Sequence, residues 1–264
     1  MKKYNKILTV LAATLLSATL GGCAAGGMEE GKESSPQTSS TEIVSPESPV
    51  ENTVKYIRAS SDGVNIRTGA GTEYASLGTT EKNTLYAYCG KSGSWYKTKY
   101  KNRTAYISEK YCTLTEMDKS DDELIESVIE SGLNFLGVKY VYGAVRYHDG
   151  KGNKLKGFTE SAFDCSSLMQ YIFYHGAGVL LNTTTRTQVS QGVAVSKAKI
   201  KRGDLLFFTN ASRKNNTGVE RVGHVALYLG DNYILHTASD YAKIEQISNT
   251  RWSYFITARR MISP

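Results

Sequence analysis

The sequence predicts an α+β protein: a small all-β barrel, then a domain in which helices come first and an antiparallel sheet follows. Three patterns carry this reading. Short apolar runs separated by Gly, Asn and Ser fill residues 54–116. Apolar residues at helical spacing follow over 121–137 and again from Cys165. Strand-like runs come last, at Leu205–Phe208, 224–229 and 233–238. Helices followed by strands favour α+β over an alternating architecture. With 264 residues, 40% of them hydrophobic, and with 18 Tyr against 4 Pro, the chain can bury the cores of two small domains.

The first segment stands apart from the fold. Lys2, Lys3 and Lys6 precede an apolar stretch, Ile7–Leu20, that has the length of a secretory signal and is short for a membrane span. It ends in Leu20-Gly21-Gly22-Cys23, which resembles the lipobox of bacterial lipoproteins. The resemblance implies removal of residues 1–22 and lipidation of Cys23; two acyl chains would anchor the protein stably to a membrane. The alternative is an ordinary secretory signal with a coincidental cysteine. Loss of 1–22 removes three lysines and no acids, so the formal net charge falls from +7 to +4. This lean is mild, and no basic cluster interleaved with aromatics suggests nucleic acid. Residues 23–53 are rich in Ser, Thr, Glu, Gly and Pro and nearly free of bulky apolar side chains, the composition of a flexible tether.

Four cysteines occur, Cys23, Cys89, Cys112 and Cys165, with no CxxC pair, so a structural zinc site is not expected. Cys89 and Cys112 could form a disulfide outside the membrane or remain two buried thiols. No metal or organic cofactor is expected.

In 54–116 the runs Val54–Ile57, Thr84–Tyr88, Trp95–Thr98 and Ala105–Ile107 have the spacing of a small barrel. Val64-Asn65-Ile66-Arg67-Thr68-Gly69, Gly93-Ser94-Trp95-Tyr96-Lys97 and Ala105-Tyr106-Ile107-Ser108 resemble the bacterial SH3-like domain. That resemblance implies a module that binds cell-wall peptide or shapes a neighbouring cleft; a spacer is the alternative.

The second domain, 117–264, opens with a helix. Ser120 with Glu123 reads as a capping box. Asp121 and Asp122 suit the positive helix end, Ile125, Val128, Ile129, Leu133 and Leu136 face a core, and Gly137 can end the helix. Residues 143–162 read as a polar surface loop whose His148 is expected to face solvent. Cys165–Tyr174 reads as the next helix, with Leu168, Met169, Ile172 and Phe173 inward and Gly176 as its cap.

Cys165 is the candidate nucleophile. A free thiol has a pKa of ~8.5, and a helix N-terminus with a nearby imidazolium lowers it. His224 and His236 lie an even number of residues apart on two strands joined by the turn Gly230-Asp231-Asn232, so they share a face. Directly opposed residues sit ~4.5–5.5 Å apart; a shift of two residues would make them diagonal neighbours. In either register His224 can act as base toward Cys165, and His236 can fix its tautomer. Taken singly, Cys165 would more often be an inert buried cysteine, and each histidine an ordinary core or surface residue.

Ordered segments then carry a second resemblance: Gly137–Gly143, Phe163-Asp164-Cys165-Ser166, Arg186 through Gly192, Lys201–Phe208 and Gly223–Gly230. Together they resemble the NlpC-type peptidoglycan endopeptidases, a compact papain-like fold. The resemblance implies cleavage of the amide between γ-D-glutamate and the diamino acid of peptidoglycan stem peptides. It makes Cys165 the nucleophile, His224 the base and His236 the orienting residue, with Tyr140 near the oxyanion. In relatives fused to SH3-like domains, the residues matching Asp164 and Ser166 grip the free amine of an N-terminal L-alanine. Two departures stand out: Ser167 replaces the usual Gly, and the loop before Phe163 is long. The expected protein is thus an extracytoplasmic, lipid-anchored enzyme of the bacterial envelope. An amidase or other peptidase on the same fold, a non-catalytic wall anchor, and a zinc site on Cys165, His224 and His236 are the rival readings.

Overall fold

A computed structural model describes residues 52–262. The signal segment, Cys23 and nearly all of the expected tether lie outside the described residues. Among the described residues no helix is long and apolar enough to cross a membrane.

The N-terminal part is all β, as expected: β1 (Thr53–Ala59), β2 (Asn65–Arg67), β3 (Ser76–Thr79), β4 (Leu85–Ala87), β5 (Lys91–Ser92), β6 (Trp95–Tyr100), β7 (Arg103–Ser108) and β8 (Cys112–Asp118). Five of these strands form one sheet in the order β3-β2-β7-β6-β5. The β6–β7 hairpin turns on Lys101 and Asn102, both left-handed at φ 51° and 57°, the geometry of a type I′ turn that matches strand twist. Tyr56, Ile57, Ile66, Ala105 and Ile107 fill the space beneath. Cys89 is exposed and Cys112 half-buried; both are free thiols.

Helix α1 (Glu123–Leu133) follows. Its N-cap is Asp122, whose side chain accepts from Leu124 N–H, and not Ser120 as the sequence suggested. Ser120 serves one step earlier: its hydroxyl accepts from Asp122 N–H, and its own N–H goes to Glu126. Val128, Ile129 and Leu133 turn inward as expected.

Two short strands, β9 (Lys139–Tyr140) and β10 (Ala162–Phe163), bracket the long loop and pair in parallel, placing Tyr140 beside Phe163. Helix α2 (Cys165–Ala177) runs from β10. It extends past the expected end: Gly178, at φ 67°, is the left-handed cap. Gly176 lies within the helix, where any Cβ would collide with the Val128 backbone. Its role is therefore close crossing of α1 over α2.

After α3 (Thr185–Gln188) come β11 (Val193–Val195), β12 (Leu205–Phe208), β13 (His224–Gly230), β14 (Tyr233–Ala238), β15 (Tyr241–Gln246), α4 (Asn249–Ser253) and β16 (Phe255–Arg260). They order antiparallel as β11-β16-β12-β13-β14-β15. Helix α2 packs on one face through Leu168, Met169, Ile172 and Phe173, all fully buried.

The two parts are not separated at the sheet. Strand β15 continues into β4 through Ile244 and Leu85, extending the order to β4-β1-β8. Buried Arg202 reinforces this seam, holding Glu126 at 2.6 and 2.8 Å and Tyr56 Oη at 3.1 Å. Glu81 accepts from Tyr241 and meets Lys243 Nζ at 2.9 Å.

Candidate active site

Strand β10 delivers Asp164, Cys165 and Ser166 to the start of α2. Asp164 is the N-cap: its carboxylate accepts Ser167 N–H at 2.8 Å, while Ser167 Oγ accepts Asp164 N–H at 2.8 Å. This capping box gives the departure at Ser167 its physical reason. Ser167 is fully buried, and its hydroxyl fixes the turn on which the nucleophile sits. Cys165 is therefore the first residue of the helix, where the leading N–H groups lack intrahelical partners. Gln188 of α3 braces this end by donating to the Ser166 carbonyl at 3.0 Å.

The Cys165 thiol is buried, and burial pushes its pKa up to about 12, helped by the Asp164 charge. Backbone N–H groups of Val225 and Ser166 and the charge of Arg146 work in the opposite direction without overcoming this. The surroundings of Cys165 thus favour the neutral thiol, and the sulfur lies beside the N–H that follows His224.

His224 opens β13 and His236 lies in the middle of β14. The hairpin turns on Asp231 and Asn232, at φ 46° and 64°, with a bulge between Tyr228 and Gly230. Its register pairs Leu227 with Leu235, which makes the two histidines diagonal neighbours. His224 Nε2 lies 3.0 Å from His236 Nδ1, with the rings edge to face. Burial drives the His224 pKa well below its usual range, with His236 and Arg251 adding to the effect. Burial also lowers His236, against the pull of Glu245. Both rings are neutral at pH 7, which leaves His224 Nδ1 as the free lone pair if Nε2–H donates to His236.

Sequence reasoning missed two residues here. Glu245 Oε1 lies 3.0 Å from His236 Nε2, but out of line with the ring N–H, which finds no well-aligned acceptor. Burial works to raise the Glu245 pKa; contact with His236 and the charges of Arg251 and Lys243 prevail and bring it to about 2. Arg251 Nη2 binds the same oxygen at 2.9 Å. The clue to Glu245 was a third strand: β15 pairs Lys243 with His236 and Glu245 with Ile234, so Glu245 shares the histidine face. The second missed residue is Arg146, in the long loop, 2.8 Å from Asp164 Oδ2.

Tyr140 lines a cavity of about 450 Å³ with His224, Phe208, Thr209, Asn210 and Arg251. Burial raises its phenol pKa, and the nearby Cys165 and Asp164 raise it further, so its hydroxyl stays protonated as a donor close to the sulfur. His148, expected to face solvent, is fully buried against Tyr147 and Tyr174 and accepts Gly150 N–H on Nδ1 at 3.0 Å. It packs the long loop instead of lying at its surface.

Residues 137–261 match the NlpC/P60 family, and residues 62–113 match the bacterial SH3 domain. The chain carries an NlpC/P60 domain behind a bacterial SH3 domain. Over 136 residues it is 35% identical to the peptidoglycan DL-endopeptidase CwlO of Bacillus licheniformis, covering 50% of this chain and 27% of that protein. Over 122 residues it is 30% identical to a γ-D-glutamyl-L-lysine dipeptidyl-peptidase of Bacillus cereus, covering 46% and 31%. Over another 122 residues it is 32% identical to the murein DD-endopeptidase MepS/murein LD-carboxypeptidase of Escherichia coli K12, covering 45% and 61%. The chain thus spans about a third or less of the first two of these curated relatives.

Proposed function

We propose that this protein is a cysteine peptidase of the bacterial cell envelope that cuts the γ-D-glutamyl–diamino acid amide of peptidoglycan stem peptides. The reading rests on the 3.0 Å contact between His224 Nε2 and His236 Nδ1, and on a cysteine at a helix start whose thiol meets the backbone N–H of Val225, the residue after His224. One ring nitrogen of His224 is committed to His236, and the other is left to exchange a proton with the thiol. The relatives named above act on peptidoglycan or its glutamyl peptides by their names, which supports the class of substrate proposed.

The neutral resting pair sets the mechanism. Cys165 gives its proton to His224 as its sulfur attacks the γ-glutamyl carbonyl, forming a C–S bond. The Cys165 N–H and Tyr140 Oη–H stabilise the oxyanion. Collapse breaks the C–N bond, and His224 returns the proton to the departing amine of the diamino acid. Water, deprotonated by His224, then opens the thioester, and the proton goes back to sulfur. His236 holds the imidazole's tautomer, and Glu245 supports His236 when positive charge develops on the pair. No step calls for a metal or an organic cofactor.

Lipidation at Cys23 would tether the enzyme outside the cytoplasmic membrane, with 54–116 as a wall-facing module and 117–264 as the catalytic part. The deciding experiment is digestion of defined muropeptides by the full chain, with mass spectrometry of the products. A new amine on the diamino acid, lost in Cys165→Ala, is expected. A new amine on L-alanine would instead mean a muramoyl amidase, and intact substrate bound without cleavage would mean a wall-binding protein.

A further inference from the structure

The two sides of Cys165 carry Asp164 and Ser166, the pair that the family resemblance assigned to a substrate ammonium. Here the pair is already occupied. A carboxylate offers about four acceptor positions; Asp164 fills three with hydrogen bonds and closes the remaining side with an ion pair. Oδ1 takes Ser167 N–H at 2.8 Å and the Ser166 hydroxyl at 3.0 Å. Oδ2 accepts Gly143 N–H at 3.2 Å and lies 2.8 Å from Arg146 Nη2 in an ion pair. The Ser166 hydroxyl in turn accepts from Arg146 Nη2 at 3.1 Å. Arg146 is itself anchored, donating from Nε to the Thr183 carbonyl at 2.8 Å and from Nη1 to the Ala144 carbonyl.

This is a closed set. The side chains are 17% and 6% exposed, and a guanidinium carries its charge at every relevant pH. A substrate ammonium would have to displace Arg146 and strand it among carbonyls, while gaining only the carboxylate that Arg146 gave up. An acylated nitrogen brings no charge and makes no such demand. The long loop that sets this domain apart is what supplies the arginine.

We propose that Arg146 is a specificity-determining residue that fills the place of a substrate ammonium. The protein therefore acts on stem peptides whose first residue is N-acylated, as it is when the peptide hangs from a glycan strand, and not selectively on free-amine peptides. This rests on the peptidase reading above and narrows it.

The test uses the full chain and two synthetic peptides, L-alanyl-γ-D-glutamyl-diamino acid with a free amine and the same peptide N-acetylated, each made with L-lysine and with diaminopimelate. Product formation gives kcat/KM for each. Wild type is expected to cut the N-acetyl form at least as well as the free amine. Arg146→Ala, which frees the carboxylate, is expected to raise the free-amine to N-acetyl ratio about tenfold, the worth of one hydrogen bond to a charged group. Arg146→Lys, which keeps a cation in place, is expected to stay near the wild-type ratio. A wild-type preference for the free amine of tenfold or more would overturn the proposal by itself, whatever the variants do. An unchanged ratio in a folded Arg146→Ala would also overturn it. Cleavage of neither peptide by wild type would sink the peptidase reading and this inference with it, so the two failures are told apart by whether any product forms.

Discussion

Two carboxylates flank the reacting pair, Asp164 buried and Glu245 half-buried, and they are held in different ways. On the nucleophile side Asp164 accepts three aligned hydrogen bonds and pairs at 2.8 Å with an arginine locked at three of its own nitrogens. On the base side Glu245 meets His236 off the line of its N–H, and shares its oxygen with a half-exposed arginine. The first arrangement is saturated, so it fixes a helix end and the sulfur upon it. The second keeps a ring nitrogen without a well-aligned partner, so it can tighten when the histidines gain charge. One carboxylate serves geometry; the other serves the change of charge during reaction.

Four results would break or sharpen that contrast. The largest concerns the base itself: His224→Ala should cut turnover by on the order of 10⁴-fold or more, as in other cysteine or serine systems acting as a unit, with Cys165→Ala equally severe. Activity near wild type in either, measured on muropeptides, would remove the reacting pair altogether. Next, Arg146→Ala leaves a buried carboxylate without its cation and should cost about 3 kcal/mol of unfolding free energy in denaturant titrations. Glu245→Gln, on the looser side, should cost no more than about 1 kcal/mol while lowering kcat about tenfold. Equal stability losses for the two would erase the distinction between them.

The two smaller effects are pH dependences. With the thiol pushed up to about 12 by burial, alkylation of Cys165 by iodoacetamide should keep accelerating above pH 8.5. A rate that levels off below pH 7 would show a preformed thiolate instead. Stability should fall on acidification. His224 and His236 are held neutral by burial, but take protons near 6.5 when unfolded. Below about pH 6.5 the unfolded chain therefore binds more protons, and folding weakens. Glu245, at about 2 in the folded chain, adds stability above its unfolded value of about 4.3 that is lost as pH falls toward 2. His236→Asn should flatten the part of the thermal-melt profile between pH 5 and about 6.5; an unchanged profile would place the protons elsewhere.

Local sequence carried much of this architecture. The β6–β7 and β13–β14 runs, the apolar face of α1 and the start of α2 are set by periodicity and turn residues that act within a few positions. Local rules misplaced caps by two residues at both helices, because Ser120, Asp122, Gly176 and Gly178 compete for the same role and packing decides among them. Parity alone put His224 and His236 on one face, though a bulge set their diagonal register. Glu245 stayed hidden because β15 was not recognised as a strand, and Arg146 because nothing in a long polar loop says which carboxylate it will meet.

What the chain's order of residues determined unaided was therefore the cast: a cysteine at a helix start and two histidines on adjoining strands. Only the assembled structure decided their charge. Burial raises the thiol and lowers the imidazoles together, and desolvation depends on everything packed around a group, not on its neighbours in sequence.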